Sequence, residues 1–259
     1  MVKMIVMDLD GTLLNSNKNI SDYSVSILEK CKNNGIKIVI ATARSEKSAE
    51  RCIKLINPDF MILNGGALAI SKDRKIIYKK ILSIETSDGI LNEFKDNKNV
   101  GIITIETINN YYVSYESVAW HSDYMHGIYY DFSKPLSERT YKITAEVNNN
   151  ELVKEIGEKF NEVNIIEFTG ENWYGFYHYE ANKIMALEAI IKLENINIKD
   201  VIVFGDDYND IEMVKNCGIG IAMENGIKEL KNIADNICGN NNEDGVAKWI
   251  ENNVLKNKK

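Results

Sequence analysis

The sequence is poor in several things that would each point to a particular chemistry. Its four cysteines, Cys31, Cys52, Cys217 and Cys238, stand singly, with no C-x-x-C pair and no neighbouring histidine. That excludes a compact zinc site and leaves buried free thiols as the expectation. The three histidines, His121, His126 and His178, all fall mid-chain, so a histidine-driven mechanism has little material. A basic excess is missing too: 31 Lys and Arg stand against 38 Asp and Glu, for a net charge of -7. Such a surface cannot exchange for the counterions of nucleic acid, although local positive charge could still hold a small anion. No apolar run approaches the roughly 18 residues that a membrane-crossing helix needs, and the start of the chain lacks a basic-then-apolar leader layout. The expectation is a cytoplasmic protein that binds neither nucleic acid nor membrane.

What is present is an ordinary core-forming composition over 259 residues, 44% hydrophobic and 27% charged. The most informative stretch is the start, where Met4 to Met7 run straight into Asp8-Leu-Asp10-Gly-Thr12. Four apolar residues in a row read as a strand buried on both faces, as in a parallel sheet. Alternation along such a strand would point Asp8 and Asp10 into one crevice, with Gly11 supplying a tight exit. Two desolvated carboxylates about 4 Å apart repel by roughly 4 kcal/mol at an effective dielectric near 20. A divalent cation or a shared proton would offset this.

The apolar pattern then switches to helical spacing over Asp22 to Cys31, stopped by Asn34-Gly35. A second buried strand, Ile36 to Ala41, ends at Thr42-Ala43-Arg44 before a helix expected over 46–56. A hydroxyl at a strand's carboxyl end beside a helix start suits a phosphate oxygen; the plain alternative is that Thr42 or Ser45 caps the helix. Pro58 to Leu63 repeats the strand pattern, closes on Asn64-Gly65-Gly66, where backbone could approach a ligand, and leads into a short hairpin. Strand and helix alternate as in a doubly wound α/β domain.

From about Leu82 the rhythm changes to strands rich in aromatic and β-branched residues, interleaved with two helices, which is the composition of an inserted antiparallel α+β module. Its aromatics, among them Trp120, Tyr124, Tyr129, Tyr130 and Trp173, could line a ligand mouth or simply form core. The α/β rhythm returns at Asn182-Lys183, where a lysine opens a helix against its macrodipole, a placement useful if it meets an anion. Val201 to Phe204 then runs into Gly205-Asp206-Asp207-Tyr208-Asn209-Asp210. Three aspartates and an asparagine within five positions are more than a helix cap needs.

In a parallel sheet, strand carboxyl ends share one edge. Asp8, Asp10, Thr42, Lys183 and the Asp206 to Asp210 group can therefore gather around one pocket. Acids for a cation, with a lysine and a hydroxyl for an anion, describe Mg²⁺-assisted phosphoryl transfer.

At these residues the chain resembles the haloacid dehalogenase superfamily, whose four ordered motifs match Asp8-Leu-Asp10-Gly-Thr12, Thr42, Lys183 and Gly205-Asp206-Asp207-Tyr-Asn209-Asp210. The spacing is similar to the Cof-like branch, which carries a C2-type α/β cap between the second and third motifs. The resemblance implies a Rossmann-like doubly wound core over 1–81 and 182–259 with an α+β cap over 82–181. It further implies that Asp8 is the nucleophile that takes the phosphoryl group and that Asp10 is first acid, then base. Mg²⁺ would be held by the Asp8 carboxylate, the Asp10 backbone carbonyl and Asp206. Thr42, the Ala43 N–H, Lys183 and Asn209 would bind phosphoryl oxygens, and Asp210 would orient Lys183 or a metal-bound water. Two positions depart from the pattern: Ala43 stands where glycine is usual, and Ile184 follows the lysine where glycine is common. Neither removes a catalytic group.

The expected activity is hydrolysis of small phosphorylated metabolites, sugar phosphates foremost. The alternatives are a phosphosugar mutase and a non-catalytic phosphoacceptor module; a receiver-type module needs only about half this length and no inserted cap.

Overall fold

The computed structural model describes residues 1–114, 127–168 and 172–256. Trp120, Tyr124, His121 and His126 lie outside the described residues. The elements in chain order are β1 (Met4–Met7), α1 (Asp22–Asn33), β2 (Lys37–Ala41), α2 (Glu50–Ile56), β3 (Phe60–Leu63), β4 (Leu68–Ser71) and β5 (Ile76–Lys79). Next come α3 (Ile84–Phe94), β6 (Val100–Thr107), β7 (Tyr111–Val113), β8 (Ile128–Tyr129), β9 (Thr140–Val147), α4 (Asn150–Lys159), β10 (Val163–Glu167) and β11 (Trp173–His178). The chain continues with α5 (Lys183–Glu194), β12 (Val201–Gly205), α6 (Ile211–Asn216), β13 (Ile219–Met223), α7 (Lys228–Ile233), β14 (Asn236–Cys238) and α8 (Gly245–Ile250). They divide into two compact units, one from Met1–Tyr78 with Asn182–Lys259 and one from Lys79–Ala181.

The first unit is built on an eight-stranded sheet in the order β14-β13-β12-β1-β2-β3-β4-β5. β14 through β3 pair in parallel, and β4 turns back antiparallel on β3. β1 lies between β12 and β2, all four of its residues buried on both faces, which is why its sequence shows no alternation. Because β1, β2 and β12 are parallel, Asp8, Thr42 and Asp206 all leave the sheet at the same edge. α5 fixes the remaining part of that edge. Asn182 caps it by accepting from the Met185 N–H at 2.9 Å, and Ala186, Leu187, Ile190 and Ile191 bury against β1, β3 and β12 residues. Each fully buried Leu or Ile contributes about 1.5–3 kcal/mol.

One loop differs from the sequence expectation. α2 begins at Glu50 instead of 46, because Ser45 diverts the chain into a turn: its hydroxyl accepts the Ser48 N–H at 3.3 Å and its carbonyl the Ala49 N–H at 2.9 Å. The Asn64–Gly66 turn, where backbone could approach a ligand, packs against protein at Gly66. Gly66, at φ +104, receives the start of α5 so closely that an added Cβ would lie 2.1 Å from the Asn182 carbonyl carbon.

The second unit is a six-stranded sheet in the order β10-β11-β9-β6-β7-β8, antiparallel except for β7 with β8. Alternate residues Ile103, Ile105, Ile143, Ala145, Val147, Tyr174 and Phe176 face Ile90, Leu91 and Phe94 of α3 and Leu152 and Ile156 of α4. Among the expected mouth aromatics, Tyr130 packs against Tyr112 and Phe132, while Tyr129 is half exposed. No helix among the described residues is long and apolar enough to cross a membrane. Cys31, Cys52 and Cys238 are buried and Cys217 partly so.

Candidate active site

β1 stops at Met7, and the chain leaves the sheet while still tied to it through the Asp8 N–H, which donates to the Phe204 carbonyl at 3.2 Å. Gly11 turns it sharply, at φ +79. Alternation therefore no longer governs Asp8 and Asp10, and their carboxylates acquire separate partners.

The Asp8 carboxylate is buried and accepts from the Lys183 ammonium at 2.6 Å. Lys183 is the first residue of α5, with its side chain 1% exposed, and its remaining donors reach Asp210 Oδ1 at 2.7 Å and Asn209 Oδ1 at 3.1 Å. This is the anion that justifies a lysine in a first helical turn. Asp206, directly after β12, accepts from the Thr12 hydroxyl at 2.6 Å. The carboxylates that crowd Asp8 are thus Asp206 and Asp210, not Asp10.

Electrostatics follow from that packing. Burial raises the Asp8 carboxyl well above the usual carboxylate range; the Lys183 charge pulls against it, and Asp210 and Asp206 push further upward. Burial likewise pushes Asp206 up to about 7 despite the hydrogen bond from Thr12. Burial alone would lower Lys183, but Asp210 and Asp8 outweigh it and hold the ammonium firmly protonated.

Asp8, Asp206 and Asp210 each present an oxygen within 4.8 Å of the others. Asp210 is already committed: Oδ1 takes Lys183, and Oδ2 takes the N–H groups of Asp206 and Asp207 at 3.0 and 3.3 Å. Spare acceptor capacity belongs to Asp8 and Asp206. A crowded set of hard oxygens without nitrogen or sulfur suits a hard divalent cation. The acids of this segment do serve as a cap after all, contrary to the sequence expectation: Asp207 and Asp210 form a capping box over the short turn Tyr208–Asp210.

A second group surrounds Asp10. The Arg44 guanidinium grips its carboxylate from Nε and a terminal nitrogen, both at 2.7 Å, and the Lys18 ammonium adds a third contact at 2.7 Å. Burial would raise Asp10, but these two cations outweigh it and hold the carboxyl below its ordinary value. Thr42 is buried at the end of β2; its hydroxyl accepts the Arg44 N–H at 3.1 Å, and its carbonyl the Gly65 N–H at 3.0 Å. Ala43 links the two. The structure thus gathers Asp8, Lys183, Asn209, Asp206 and Asp210 through direct contacts, and Asp10 with Arg44 and Thr42 beside them in the chain.

Sequence reasoning missed four contributors: Arg44, Lys18, Thr12 and Asn225, whose amide donates to the Gly11 carbonyl at 2.7 Å. Arg44 and Thr12 stood inside the quoted motifs and could have been weighed as partners for the acids. Lys18 reaches Asp10 only because its own backbone is left-handed, φ 58, and Asn225 only because β13 lies next to β12. Neither had a local signal.

This arrangement, a buried lysine joining acids from two neighbouring strand ends of a doubly wound sheet, defines a phosphoryl-transfer class of enzyme. Comparison with known proteins agrees. The family model for haloacid dehalogenase-like hydrolases matches residues 5–250. Two Bacillus subtilis proteins, the 5-amino-6-(5-phospho-D-ribitylamino)uracil phosphatases YcsE and YitU, are each 25% identical, the first over 98% of this chain and 96% of its own, the second over 96% of each. Among solved structures, the subclass IIB sugar phosphatase BT4131 superposes with a TM-score of 0.83 at 23% identity, covering 97% of this chain and 98% of that one. SMU.1108c from Streptococcus mutans gives 0.85 at 24% identity, covering 98% and 100%. The chain belongs to the haloacid dehalogenase-like hydrolases, in their Cof-like branch, and is a phosphatase.

Proposed function

We propose that the chain is a cytoplasmic Mg²⁺-dependent phosphatase that hydrolyses phosphate monoesters of sugar-like metabolites through a phosphorylated Asp8. The observation that carries this reading is the buried Lys183 ammonium, which holds Asp8 in place from one side while Asn209 and Asp210 fix the ammonium from the other. Asp8, Asp206 and the Asp10 backbone carbonyl would hold Mg²⁺, which would neutralise charge on the nucleophile and on the phosphoryl group.

Asp8 attacks phosphorus as the ester P–O bond breaks, and the departing oxygen takes a proton from the Asp10 carboxyl, whose protonated form requires the substrate to loosen the Arg44 and Lys18 contacts that favour its ionised form. A water molecule then gives its proton to Asp10 and cleaves the aspartyl-phosphate, releasing inorganic phosphate. Lys183, Asn209, the Thr42 hydroxyl and the Ala43 N–H hold the phosphoryl oxygens, with Asp210 keeping Lys183 oriented.

The two relatives named for a phosphorylated ribityl compound, and the neighbour named a sugar phosphatase, support a hydroxylated ester as substrate. The test is phosphate release from p-nitrophenyl phosphate and a panel of sugar and ribityl phosphates, with and without Mg²⁺. Release that needs Mg²⁺ and disappears in Asp8→Asn is expected. Normal turnover by that variant would overturn the mechanism, and an isomeric ester with little free phosphate would make the enzyme a mutase.

A further inference from the structure

Within the first unit, Lys18 reaches the Asp10 carboxylate from the loop 15–19 between β1 and α1. Its ammonium lies 2.7 Å from Asp10 Oδ1, where the Arg44 guanidinium also converges at 2.7 Å, while Arg44 Nε takes Oδ2 at 2.7 Å. Lys18 stands at φ 58, a left-handed backbone that glycine and asparagine take readily and lysine does not. The loop around it is fixed from inside. The Lys18 N–H donates to the Asn15 carbonyl at 2.8 Å and the Asn15 N–H to the Asn19 carbonyl at 3.0 Å. Asn15 Oδ1 accepts the N–H groups of Asn17 and Asn19, both at 3.0 Å. It is tied down from outside as well. The Asn241 amide donates to the Leu14 carbonyl at 2.8 Å, Asn242 Oδ1 accepts the Ser16 N–H at 2.8 Å, and Arg51 donates to Asn19 Oδ1 at 2.8 Å.

A surface ion pair does not account for this construction. The Lys18 and Asp10 side chains are 56% and 38% exposed, and pairs so open to water add little to stability. A strained backbone persists where its surroundings over-determine it, and such positions cluster where a side chain has to be aimed. What this ordered loop delivers is one ammonium placed against one oxygen of Asp10.

The contacts also select a step. Each of the three donates a hydrogen to the carboxylate, so the grip fits Asp10 as an acceptor. In the reaction proposed above, Asp10 is the donor in the first half and the acceptor in the second. We propose that Lys18 is a positioning residue for the second half-reaction, aiming the Asp10 carboxylate at the water that cleaves the phosphorylated Asp8. In that step a water O–H bond breaks and its proton passes to Asp10. The water oxygen bonds to phosphorus, and the P–O bond to Asp8 breaks with its electron pair returning to the Asp8 carboxylate. This rests on the phosphatase reading above.

The experiment follows rapid-mixing and steady-state turnover of p-nitrophenyl phosphate, whose leaving group needs little help from an acid, by the full chain with Mg²⁺. In Lys18→Met, kcat is expected to fall at least about tenfold while kcat/KM stays within about twofold, because KM falls in parallel. Phosphorylated protein then accumulates, so a burst of p-nitrophenol approaching one equivalent precedes the slow steady rate. Lys18→Arg, which keeps the charge and its donors, is expected to recover most of kcat. Unchanged kcat, or a loss that falls equally on kcat/KM without a burst, overturns the proposal. Lys18→Gln takes the place of the methionine variant if that fails to fold, and misfolding of both would assign the lysine to the loop's own stability and overturn the proposal too. Absence of p-nitrophenol release by the wild type defeats the phosphatase reading, and this proposal with it; normal wild-type turnover with an unaffected Lys18→Met defeats this proposal alone.

Discussion

Lys183 and Asp8 meet at 2.6 Å with side chains only 1% and 8% exposed, so the ammonium that opens α5 is buried against the carboxylate that ends β1. That ammonium is the counter-charge shared by two buried carboxylates, Asp8 and Asp210.

Replacing Lys183 with Met leaves Asp8 and Asp210 buried without their cation. Loss of one partner from a buried pair is worth about 3–5 kcal/mol, and urea unfolding at neutral pH is expected to show a loss of that size alongside the loss of turnover. A change below about 1 kcal/mol would mean that water reaches the pair.

The Arg44 to Asp10 contact is as short but partly solvated, with side chains 25% and 38% exposed. Arg44→Ala is therefore expected to cost less than about 1 kcal/mol in the same unfolding measurement, while turnover falls at least tenfold because Asp10 loses its orientation. Stability and activity separate at Arg44 and fall together at Lys183.

Stability without metal should depend on pH with an unusual sign. Asp206 is pushed up to about 7 when folded and Asp8 is also raised, whereas an unfolded aspartate titrates near 4. Between these values the folded chain binds more protons than the unfolded one, so its stability is full below about pH 4 and declines as pH rises through about 7. In EDTA, melting temperature should fall across that interval, and added Mg²⁺ should restore more at pH 8 than at pH 5. Asp206→Asn should flatten the EDTA profile and shrink the Mg²⁺ response.

Gly11 is held at φ +79, and a Cβ there would lie 2.1 Å from Asp206 Oδ2. Gly11→Ala is expected to lose about 1–3 kcal/mol from backbone strain and, by displacing Asp206, to raise the Mg²⁺ concentration needed for half-maximal thermal protection. Unchanged Mg²⁺ protection would show that Asp206 is not a ligand.

Much of the architecture was readable in the residues because burial on both faces leaves an uninterrupted apolar run and burial on one leaves an alternating one. Met4 to Met7 and Val201 to Phe204 declare central parallel strands, and Tyr141 to Val147 a one-sided antiparallel strand. Asn182 and Lys183 mark the start of α5 by cap and by charge. The start of α2 was misplaced because serine side chains compete for the backbone N–H groups that a helix leaves open, and pattern alone does not tell which wins.

The chain by itself determined which side chains are candidates for chemistry, since acids at strand ends and a lysine at a helix start are local facts of order and polarity. Only the tertiary structure decided how they pair: Asp8 with Lys183 and Asp210, Asp10 with Arg44 and Lys18, Asp206 with Thr12. Coulombic and hydrogen-bond energies depend on separations of a few ångströms and on exclusion of water. Both are set by which strands lie side by side and by the left-handed turn at Gly11, quantities that spacing along the polymer does not contain.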